Sequence, residues 1–203
     1  MSKQLIGILD YGAGNCTSVR LAITRVGFRT RLVKYYEDFS GLQALLIPGV
    51  GAFPSAMKAL NELQLIEPIR EYAHQNRPLI GICLGMQLLA DVSYEHEYTR
   101  GLGLIPGEVK PLGKPLWHTG WNTLEVVHKE GISDGSDAAS FYFNHAFEFN
   151  TRENYIVATA NIGRPVAAMV RKNNICGFQF HPEKSQIAGM QLMKRAINEL
   201  SHA

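Results

Sequence analysis

The sequence predicts an α/β fold built on an open, mixed and largely parallel sheet that helices flank, with an antiparallel portion in its second half. Two observations carry this prediction. Short, continuous apolar runs alternate with longer helical stretches in the first half, as a parallel sheet covered on both faces requires. After about residue 120, apolar and polar residues alternate, which is typical of antiparallel strands.

The first half contains four predicted strands and the helices that connect them. The strands are expected at Leu5 to Leu9, Thr30 to Val33, Ala44 to Ile47 and Leu79 to Ile82. A helix is expected over Asn15 to Val26, where Asn15 is a candidate cap. Apolar residues at spacings of three and four predict a second helical region over Pro54 to Tyr72, which Pro68 either interrupts or restarts.

The second half begins with a stretch rich in glycine and proline, from about Gly101 to Gly120. Antiparallel strands are expected over Thr123 to Val127 and Phe141 to Phe149, and a late buried strand over Ile175 to Phe180. The pattern predicts a closing amphipathic helix over Ser185 to Leu200. Its apolar side is expected to carry Ile187, Met190, Met193 and Ile197.

Composition limits the possible functions. The 203 residues fit a single domain over 1–203, and 46% hydrophobic with 19% charged residues describe an ordinary globular protein. A net charge of +2 gives no broad reason to bind nucleic acid or a membrane. The first apolar run is too short for a signal or a membrane span. Cys16, Cys83 and Cys176 are an odd count without CxxC spacing, so we expect neither a disulfide framework nor a zinc site, and a reducing, cytoplasmic location. No other metal and no cofactor are expected.

Cys83 is the candidate nucleophile. It lies between Gly81 and Gly85, where the apolar strand should give way to a helix. This G-x-C-x-G spacing is that of a nucleophile elbow, whose glycines leave room for a sharp turn. The start of the following helix would favour a thiolate and offer free amides. The alternative is a small buried core cysteine, the role that we favour for Cys16 and Cys176.

His181 and Glu183 are the candidate base and its orienting carboxylate. They follow the last predicted strand, and the carboxyl end of a strand is where open α/β sheets bind ligands. Glu183 can accept a proton from one imidazole nitrogen while the other faces Cys83. Alternatively, His181 ends a strand and Glu183 begins the last helix with a favourable charge.

Two glycine-rich turns are further candidates. Pro48 to Gly51 follows a buried strand, and an amide from this turn together with that of Leu84 can bind an oxyanion, although a simple tight turn fits equally well. Asp10 to Asn15 resembles the start of a dinucleotide fingerprint, but Thr17 occupies the place of its third glycine, so we reject a nucleotide site.

These motifs together resemble those of the class I glutamine amidotransferases over almost the whole chain, and so imply a flavodoxin-like fold. Within that family the chain looks like the glutaminase subunits of imidazole glycerol phosphate synthase. The narrower likeness rests on Asp10 to Asn15, on the turn Pro48 to Gly51 and on His118-Thr119-Gly120-Trp121-Asn122.

The resemblance implies a glutaminase that hydrolyses L-glutamine through a cysteine thioester, as a step of histidine biosynthesis. It implies a heterodimer in which the ammonia passes to a (β/α)₈ cyclase, and no nucleic-acid or membrane partner. The implied residues are a triad of Cys83, His181 and Glu183, an oxyanion hole of Gly49, Val50 and Leu84, glutamine contacts at Gly51, Gln87, His145, Ala146 and Phe147, and a partner interface at Asn15, His118, Trp121 and Asn122.

One segment departs from the family pattern and leaves alternatives open. Phe143-Asn144-His145-Ala146-Phe147 stands where these subunits read close to FVHSY, so hydroxyl groups are lost. The departure is compatible with a paralogue that supplies ammonia to a synthase amidinating a surface-polysaccharide sugar. A thiol peptidase or γ-glutamyl hydrolase would use the same elbow, and a scaffold that has lost its chemistry is the non-enzymatic alternative.

Overall fold

The computed structural model describes residues 4–12 and 15–201. Its first half alternates strands and helices, as the apolar pattern predicts. In chain order the elements are β1 (Leu5–Leu9), α1 (Cys16–Arg25), β2 (Arg29–Val33), β3 (Ala44–Ile47), α2 (Phe53–Glu62), α3 (Ile66–His74), β4 (Leu79–Ile82) and α4 (Leu84–Gln87).

The second half is mainly strands and ends in a helix. Its elements are β5 (Val92–Ser93), β6 (Thr99–Arg100), β7 (Gly107–Pro111), β8 (His118–Val126), β9 (Ser140–His145), β10 (Phe147–Thr151), β11 (Ile156–Asn161), β12 (Pro165–Lys172), β13 (Ile175–Phe178) and α5 (Gln186–Ser201). Strands β11 and β12 form an antiparallel pair that was not predicted individually. Short 3₁₀ turns lie between several elements, including one at Pro182–Lys184.

Nine strands form one mixed sheet in the order β2-β1-β3-β4-β13-β12-β11-β8-β9. Neighbours from β2 to β13 run parallel, and neighbours from β13 to β9 run antiparallel. The predicted fold class is therefore confirmed. Because β13 lies parallel to β4, with Phe178 opposite Ile82, the carboxyl ends of these two strands meet at the same edge of the sheet.

Helices cover both faces of the parallel part. Along β3, Ala44 and Leu46 pack into one hydrophobic cluster, which includes buried residues of α1 and α5. Leu45 and Ile47 pack into the other, which includes those of α2 and α3. Burial on both faces explains why this strand reads as a continuous apolar run.

The predicted strand Phe141 to Phe149 is two strands. β9 ends at His145 and pairs with β8, whereas β10 begins at Phe147 and pairs with β7 in a second sheet, ordered β10-β7-β5-β6. The alternation of side chains continues in phase through Ala146, so periodicity cannot reveal the break. Different partner strands determine where the chain divides.

Two details of the helices differ from expectation. The break in the region Pro54 to Tyr72 occurs at Gln64, where φ is 56°, and Pro68 lies in the first turn of α3, where its missing N–H costs no helical bond. The expectation that Ile187 faces the core is wrong, because its side chain is 67% exposed. Gly189 lies on the buried face instead, and an added Cβ there would stand 1.9 Å from the carbonyl oxygen of Pro182.

No helix within residues 4–12 and 15–201 has the length and hydrophobicity needed to span a bilayer.

Candidate active site

Cys83 occupies a strained turn between β4 and α4. Its φ of 55° and ψ of −111° are unusual for a residue with a side chain. A Cβ on Gly81 would lie 2.5 Å from the carbonyl oxygen of Gly85, and one on Gly85 would lie 1.8 Å from that of Ile47. Only glycine fits at both positions, so the turn has the steric construction of a nucleophile elbow.

The helix after Cys83 is shorter than the sequence suggested. α4 is a single turn of four residues, so it supplies little of the macrodipole that was expected to favour a thiolate. The amide of Leu84 begins this turn and therefore has no intrahelical acceptor. The elbow thus offers a free N–H group beside the thiol rather than a strong dipole.

His181 and Glu183 form a buried pair close to this elbow. Nδ1 of His181 lies 2.9 Å from Oε1 of Glu183, and the backbone N–H of His181 donates to the carbonyl of Tyr142 on β9 at 2.8 Å. Because a carboxylate can only accept, Nδ1 carries the proton and Nε2 is left for Cys83. The side chains of His181 and Glu183 are 2% and 0% exposed.

The electrostatic balance at His181 favours its charged form. Burial alone would lower the pKa of this imidazole, but hydrogen bonding to Cys83 and Glu183, together with their negative charge, raises the pKa to about 10. An imidazole with this pKa holds a second proton at neutral pH, which it can give to a leaving group, and the carboxylate stabilises its charge.

Asn15 does not cap α1 as expected. Its backbone has φ of 99°, its side chain makes no capping hydrogen bond, and its Nδ2 instead donates to Oε1 of Glu183. Asn15 and His181 therefore share one carboxylate oxygen. Neighbouring Ala13 and Gly14, part of the glycine loop considered above, lie outside the described residues.

The turn after β3 packs closely against the elbow. The hydroxyl of Tyr11 donates to the carbonyl of Pro48 at 2.8 Å. A Cβ on Gly49 would lie 2.6 Å from the Tyr11 hydroxyl oxygen and 3.0 Å from Cβ of Leu84. Gly51 has φ of 110°, a conformation that favours glycine. The sequence thus places a glycine turn next to the free amide of Leu84, as an oxyanion hole requires.

A cavity of about 430 Å³ opens at this edge of the sheet. Nine residues singled out from the sequence line it, namely Cys83, His181, Val50, Leu84, Gly51, Gln87, His145, Ala146 and Phe147. Glu183 and Gly49 lie behind this lining, and the four expected interface residues are not part of it. The volume is sufficient for an amino acid.

Two buried polar residues at the site were missed by sequence reasoning. Glu95 lies between β5 and β6, lines the cavity, and accepts the backbone N–H of Phe53 at 2.7 Å. Gln179 donates from Nε2 to the sulfur of Cys83 at 3.9 Å. Glu95 has no sequence signal, whereas a glutamine between Phe178 and Phe180 in a buried run could have drawn attention to Gln179.

The side chains of Gln87 and His145 use most of their hydrogen-bonding groups for contacts within the protein. Nε2 of Gln87 donates to the carbonyl of Phe147 and to Oε1 of Gln179, both at 3.0 Å. His145 contacts the Phe147 carbonyl through Nδ1 at 2.8 Å and His118 through Nε2 at 2.9 Å. Their expected contacts with glutamine are thus restricted to Oε1 of Gln87 and to backbone groups near His145.

The segment that departs from the family pattern makes its own contacts. Oδ1 of Asn144 accepts the indole N–H of Trp117 at 2.8 Å, and its backbone carbonyl lies 4.0 Å from the sulfur of Cys83. Trp117 and Asn144 both line the cavity. Trp121 is 51% exposed and packs edge-on against Tyr142, which agrees with an exposed rather than a core position.

The other two cysteines lie away from this arrangement. Cys176 is fully buried in β13, and burial raises the pKa of its thiol. Cys16 is partly buried in α1 and donates to the carbonyl of Leu9 at 3.3 Å. Neither thiol lines the cavity, in keeping with the structural roles expected for them.

Comparison with known proteins gives consistent likenesses. Residues 7–199 match the family described as glutamine amidotransferase class-I. The chain is 41% identical over 194 residues to imidazole glycerol phosphate synthase subunit HisH of Desulfitobacterium hafniense, covering 94% of this chain and 92% of that protein. It is 41% identical over 195 residues to the HisH subunit of Lacticaseibacillus casei, covering 94% of each. A solved structure described as a glutamine amidotransferase superposes with a TM-score of 0.77 at 23% identity, covering 98% of this chain and 99% of that one, and supports the fold alone.

Proposed function

Because the chain belongs to the glutamine amidotransferase class-I family, we propose that it is the glutaminase subunit of an imidazole glycerol phosphate synthase. The observation that carries the chemistry is the strained Cys83 in its elbow, which shares one cavity with the buried His181. The assignment to histidine biosynthesis rests on the name of the 38–41% identical relatives, imidazole glycerol phosphate synthase subunit HisH.

The reaction proceeds through a thioester on Cys83. Nε2 of His181 takes the thiol proton, and the sulfur attacks the side-chain amide carbon of L-glutamine. The amide of Leu84 and those of the turn at Gly49 and Val50 bind the resulting oxyanion. His181 returns the proton to the leaving nitrogen, so that ammonia departs and a glutamyl thioester remains.

Hydrolysis of the thioester completes the cycle. His181 removes a proton from a water molecule, which attacks the thioester carbon, and glutamate leaves as the sulfur recovers the proton. Glu183 holds Nδ1 of His181 protonated throughout and stabilises the imidazolium. Asn15, which precedes α1, donates to the same carboxylate oxygen and so limits rotation of Glu183.

Glutamine binding combines backbone groups with one buried charge. Gly51, Ala146, Phe147 and Oε1 of Gln87 are close enough in the cavity to contact the substrate. The carboxylate of Glu95, which is 6% exposed, is positioned to receive the α-ammonium group. A buried carboxylate favours a positively charged ligand group, and its basic neighbour, Nε2 of His96, lies 3.9 Å from Oε1 of Glu95 on the exposed side.

The partner is a (β/α)₈ cyclase that receives the ammonia in a cytoplasmic heterodimer. Large exposed apolar side chains support a docking face near the cavity, since Trp117 lines its rim and Trp121 on β8 is half exposed. His118 and Asn122 lie on the same strand but on its opposite face, and His118 is buried, so Trp121 is the residue of β8 that we assign to this docking face. The free cysteines fit a reducing compartment.

The remaining alternatives have less support. The relatives named as synthase subunits cover more than nine tenths of the chain, which favours histidine biosynthesis over a polysaccharide paralogue. A peptidase or γ-glutamyl hydrolase would not account for that likeness. Asn144, where the sequence departs from the family pattern, accepts a hydrogen bond from the indole of Trp117. The departure changes none of the three proposed triad residues.

Replacement of the nucleophile tests the chemistry. Cys83→Ala should abolish glutamate formation from glutamine while leaving the thermal unfolding midpoint close to that of the wild type. Cys176→Ala is the matched control, because that thiol lies outside the cavity and its loss should leave hydrolysis intact. Retained hydrolysis in a folded Cys83→Ala protein would overturn the mechanism.

A further inference from the structure

A continuous series of hydrogen bonds connects β8 with the nucleophile. It begins at Asn122, whose Nδ2 lies 3.1 Å from Nε2 of His118. Nδ1 of His118 lies 2.9 Å from Nε2 of His145, whose Nδ1 lies 2.8 Å from the carbonyl oxygen of Phe147. Each of these contacts is within the distance of a direct hydrogen bond.

The direction of every bond in this series is determined. Asn122 accepts the N–H of Thr123 at 2.8 Å through Oδ1 and donates to the carbonyl of Asn161 at 2.9 Å through Nδ2. Its Nδ2 is therefore a donor, so Nε2 of His118 accepts and Nδ1 of His118 carries the proton. Nε2 of His145 then accepts, and Nδ1 of His145 donates to Phe147.

The Phe147 end of the series independently requires the same tautomers. A carbonyl oxygen such as that of Phe147 can only accept, which requires a proton on Nδ1 of His145. Both imidazoles must then be neutral and in the Nδ1–H tautomer, because a second proton on either ring would oppose two donors. Burial lowers the pKa of both His118 and His145, in agreement with this state.

From Phe147 the series continues to sulfur. The same carbonyl accepts Nε2 of Gln87, which also donates to Oε1 of Gln179. This arrangement directs Nε2 of Gln179 toward Cys83, where the nitrogen lies 3.9 Å from the sulfur and donates to it. An N–H donor at this place holds the side chain of the nucleophile in one orientation.

We propose that His118 is a positioning residue that acts through His145, Phe147, Gln87 and Gln179 to hold Cys83 ready for reaction. The proposal deepens the proposed glutaminase function and rests on it for the role of Cys83. The proton donated by Nδ1 of His118 is the critical feature, since without it Nε2 of His145 is a buried acceptor with no partner. His145 can then rotate, and the Phe147 carbonyl loses its fixed donor.

The tautomers provide a test that does not depend on activity. In the full-length protein labelled with ¹⁵N at histidine, long-range ¹⁵N–¹H correlation spectra at neutral pH should show His118 and His145 both protonated at Nδ1 and unprotonated at Nε2. Either ring found protonated at Nε2 would overturn the proposal, because the series could not then run in one direction.

Two variants of His118 separate hydrogen bonding from packing. The amide nitrogen of asparagine falls near Nδ1 of histidine, so His118→Asn keeps the donor to His145. The amide of glutamine falls near Nε2, so His118→Gln keeps the contact with Asn122 but loses that donor. Glutamine is closer to histidine in size, and His118 stacks on Phe143 at 4.3 Å, so packing alone would favour His118→Gln.

The readout is the rate at which iodoacetamide alkylates Cys83, followed by mass spectrometry of its peptide, together with kcat and KM for glutamine in the presence of the cyclase. His118→Gln should slow alkylation and lower kcat about five- to tenfold, as expected for one hydrogen bond. His118→Asn should remain within about twofold of the wild type. Equal rates in the two variants, or a faster rate in His118→Gln, would contradict the proposal.

Failure of the glutaminase assignment would look different. In that case the wild type releases no glutamate, whereas the tautomers and the alkylation rates still report on the hydrogen bonds. If instead the wild type hydrolyses glutamine and Cys83→Ala does not, but the tautomers differ from Nδ1–H, only the role of His118 is wrong.

Discussion

Asn15 illustrates how a residue at the site acquires a role that its sequence context conceals. Asparagine before a helical run predicts a cap, yet its left-handed backbone turns the side chain toward Glu183, 168 positions away in the chain. Folding likewise brings Glu95 to the cavity and Gln179 to the sulfur of Cys83. The motifs from which we predict the catalytic triad are local, whereas the contacts of Asn15, Glu95 and Gln179 depend on distant segments.

We predict that Asn15→Gly lowers kcat about tenfold, the loss expected for a hydrogen bond to a charged group. Glycine accepts the φ of 99°, so the substitution removes the side chain without straining the backbone. KM for glutamine should change less than kcat, since Asn15 does not line the cavity. Steady-state kinetics measure both, and a raised KM with unchanged kcat would show that Asn15 contacts substrate instead.

Acid should weaken the folded state through His145. Burial lowers the pKa of this imidazole to about 4, below the value near 6.5 of an unfolded histidine. Between these values the unfolded chain binds more protons, so the free energy of unfolding falls as pH decreases from 6.5 toward 4. His181, with a pKa raised to about 10, acts in the opposite direction, because its unfolded form gains a proton near pH 6.5 that the folded form already holds. This contribution is present with and without His145 and cancels when the wild type is compared with His145→Asn.

The measurement is the free energy of unfolding in urea at pH 7.5 and at pH 5.5. Both pH values lie above the usual pKa range of carboxylates. The wild type should lose about 1 kcal/mol more between these two pH values than His145→Asn does. The same pH dependence in both proteins would mean that His145 is accessible to protons in the folded state.

At the scale of elements, continuous burial makes a strand easy to predict. β1, β3 and β4 coincide with their predicted limits, because parallel strands covered on both faces require unbroken apolar runs. The division between β9 and β10 escaped prediction, since it depends on which strands lie beside them. The exposure of Ile187 was not predicted either, because the close approach of Gly189 to Pro182 determines which side of α5 is buried.

Gly189 connects the last helix with the turn that carries Glu183. Its Cβ would lie 1.9 Å from the carbonyl of Pro182, in the 3₁₀ turn that carries Glu183. Alanine normally stabilises a helix interior by about 0.5–1 kcal/mol relative to glycine, but overpacking costs about 1–3 kcal/mol and should dominate here.

We therefore predict that Gly189→Ala lowers both the free energy of unfolding and kcat, because it displaces Glu183. Gln191→Ala is the control, as it alters an exposed position of the same helix. Urea unfolding and glutamate formation measure the two effects. A stabilised Gly189→Ala protein with normal kcat would contradict this prediction, because the turn Pro182–Lys184 could then move aside without displacing Glu183.

At the scale of the whole molecule, the order of the strands assembles the site. β4 carries Cys83 and β13 leads to His181, and their parallel pairing brings two segments almost one hundred residues apart to one edge of the sheet. The antiparallel half places β8 and β9 beside that edge, so the exposed Trp121 and the buried His145 belong to one structural unit. The sequence predicted the mixed sheet but not the second sheet, whose two-residue strands leave no periodic signal.

The most direct measurement is glutamate formation by the purified protein, alone and with the histidine-pathway cyclase and its phosphorylated ligand. We expect hydrolysis to rise strongly only when cyclase and ligand are both present, and to vanish in Cys83→Ala. No glutamate with that cyclase, together with release in the presence of another synthase, would contradict the assignment to histidine biosynthesis. Glutamate formation that survives the loss of Cys83 would contradict the chemistry itself.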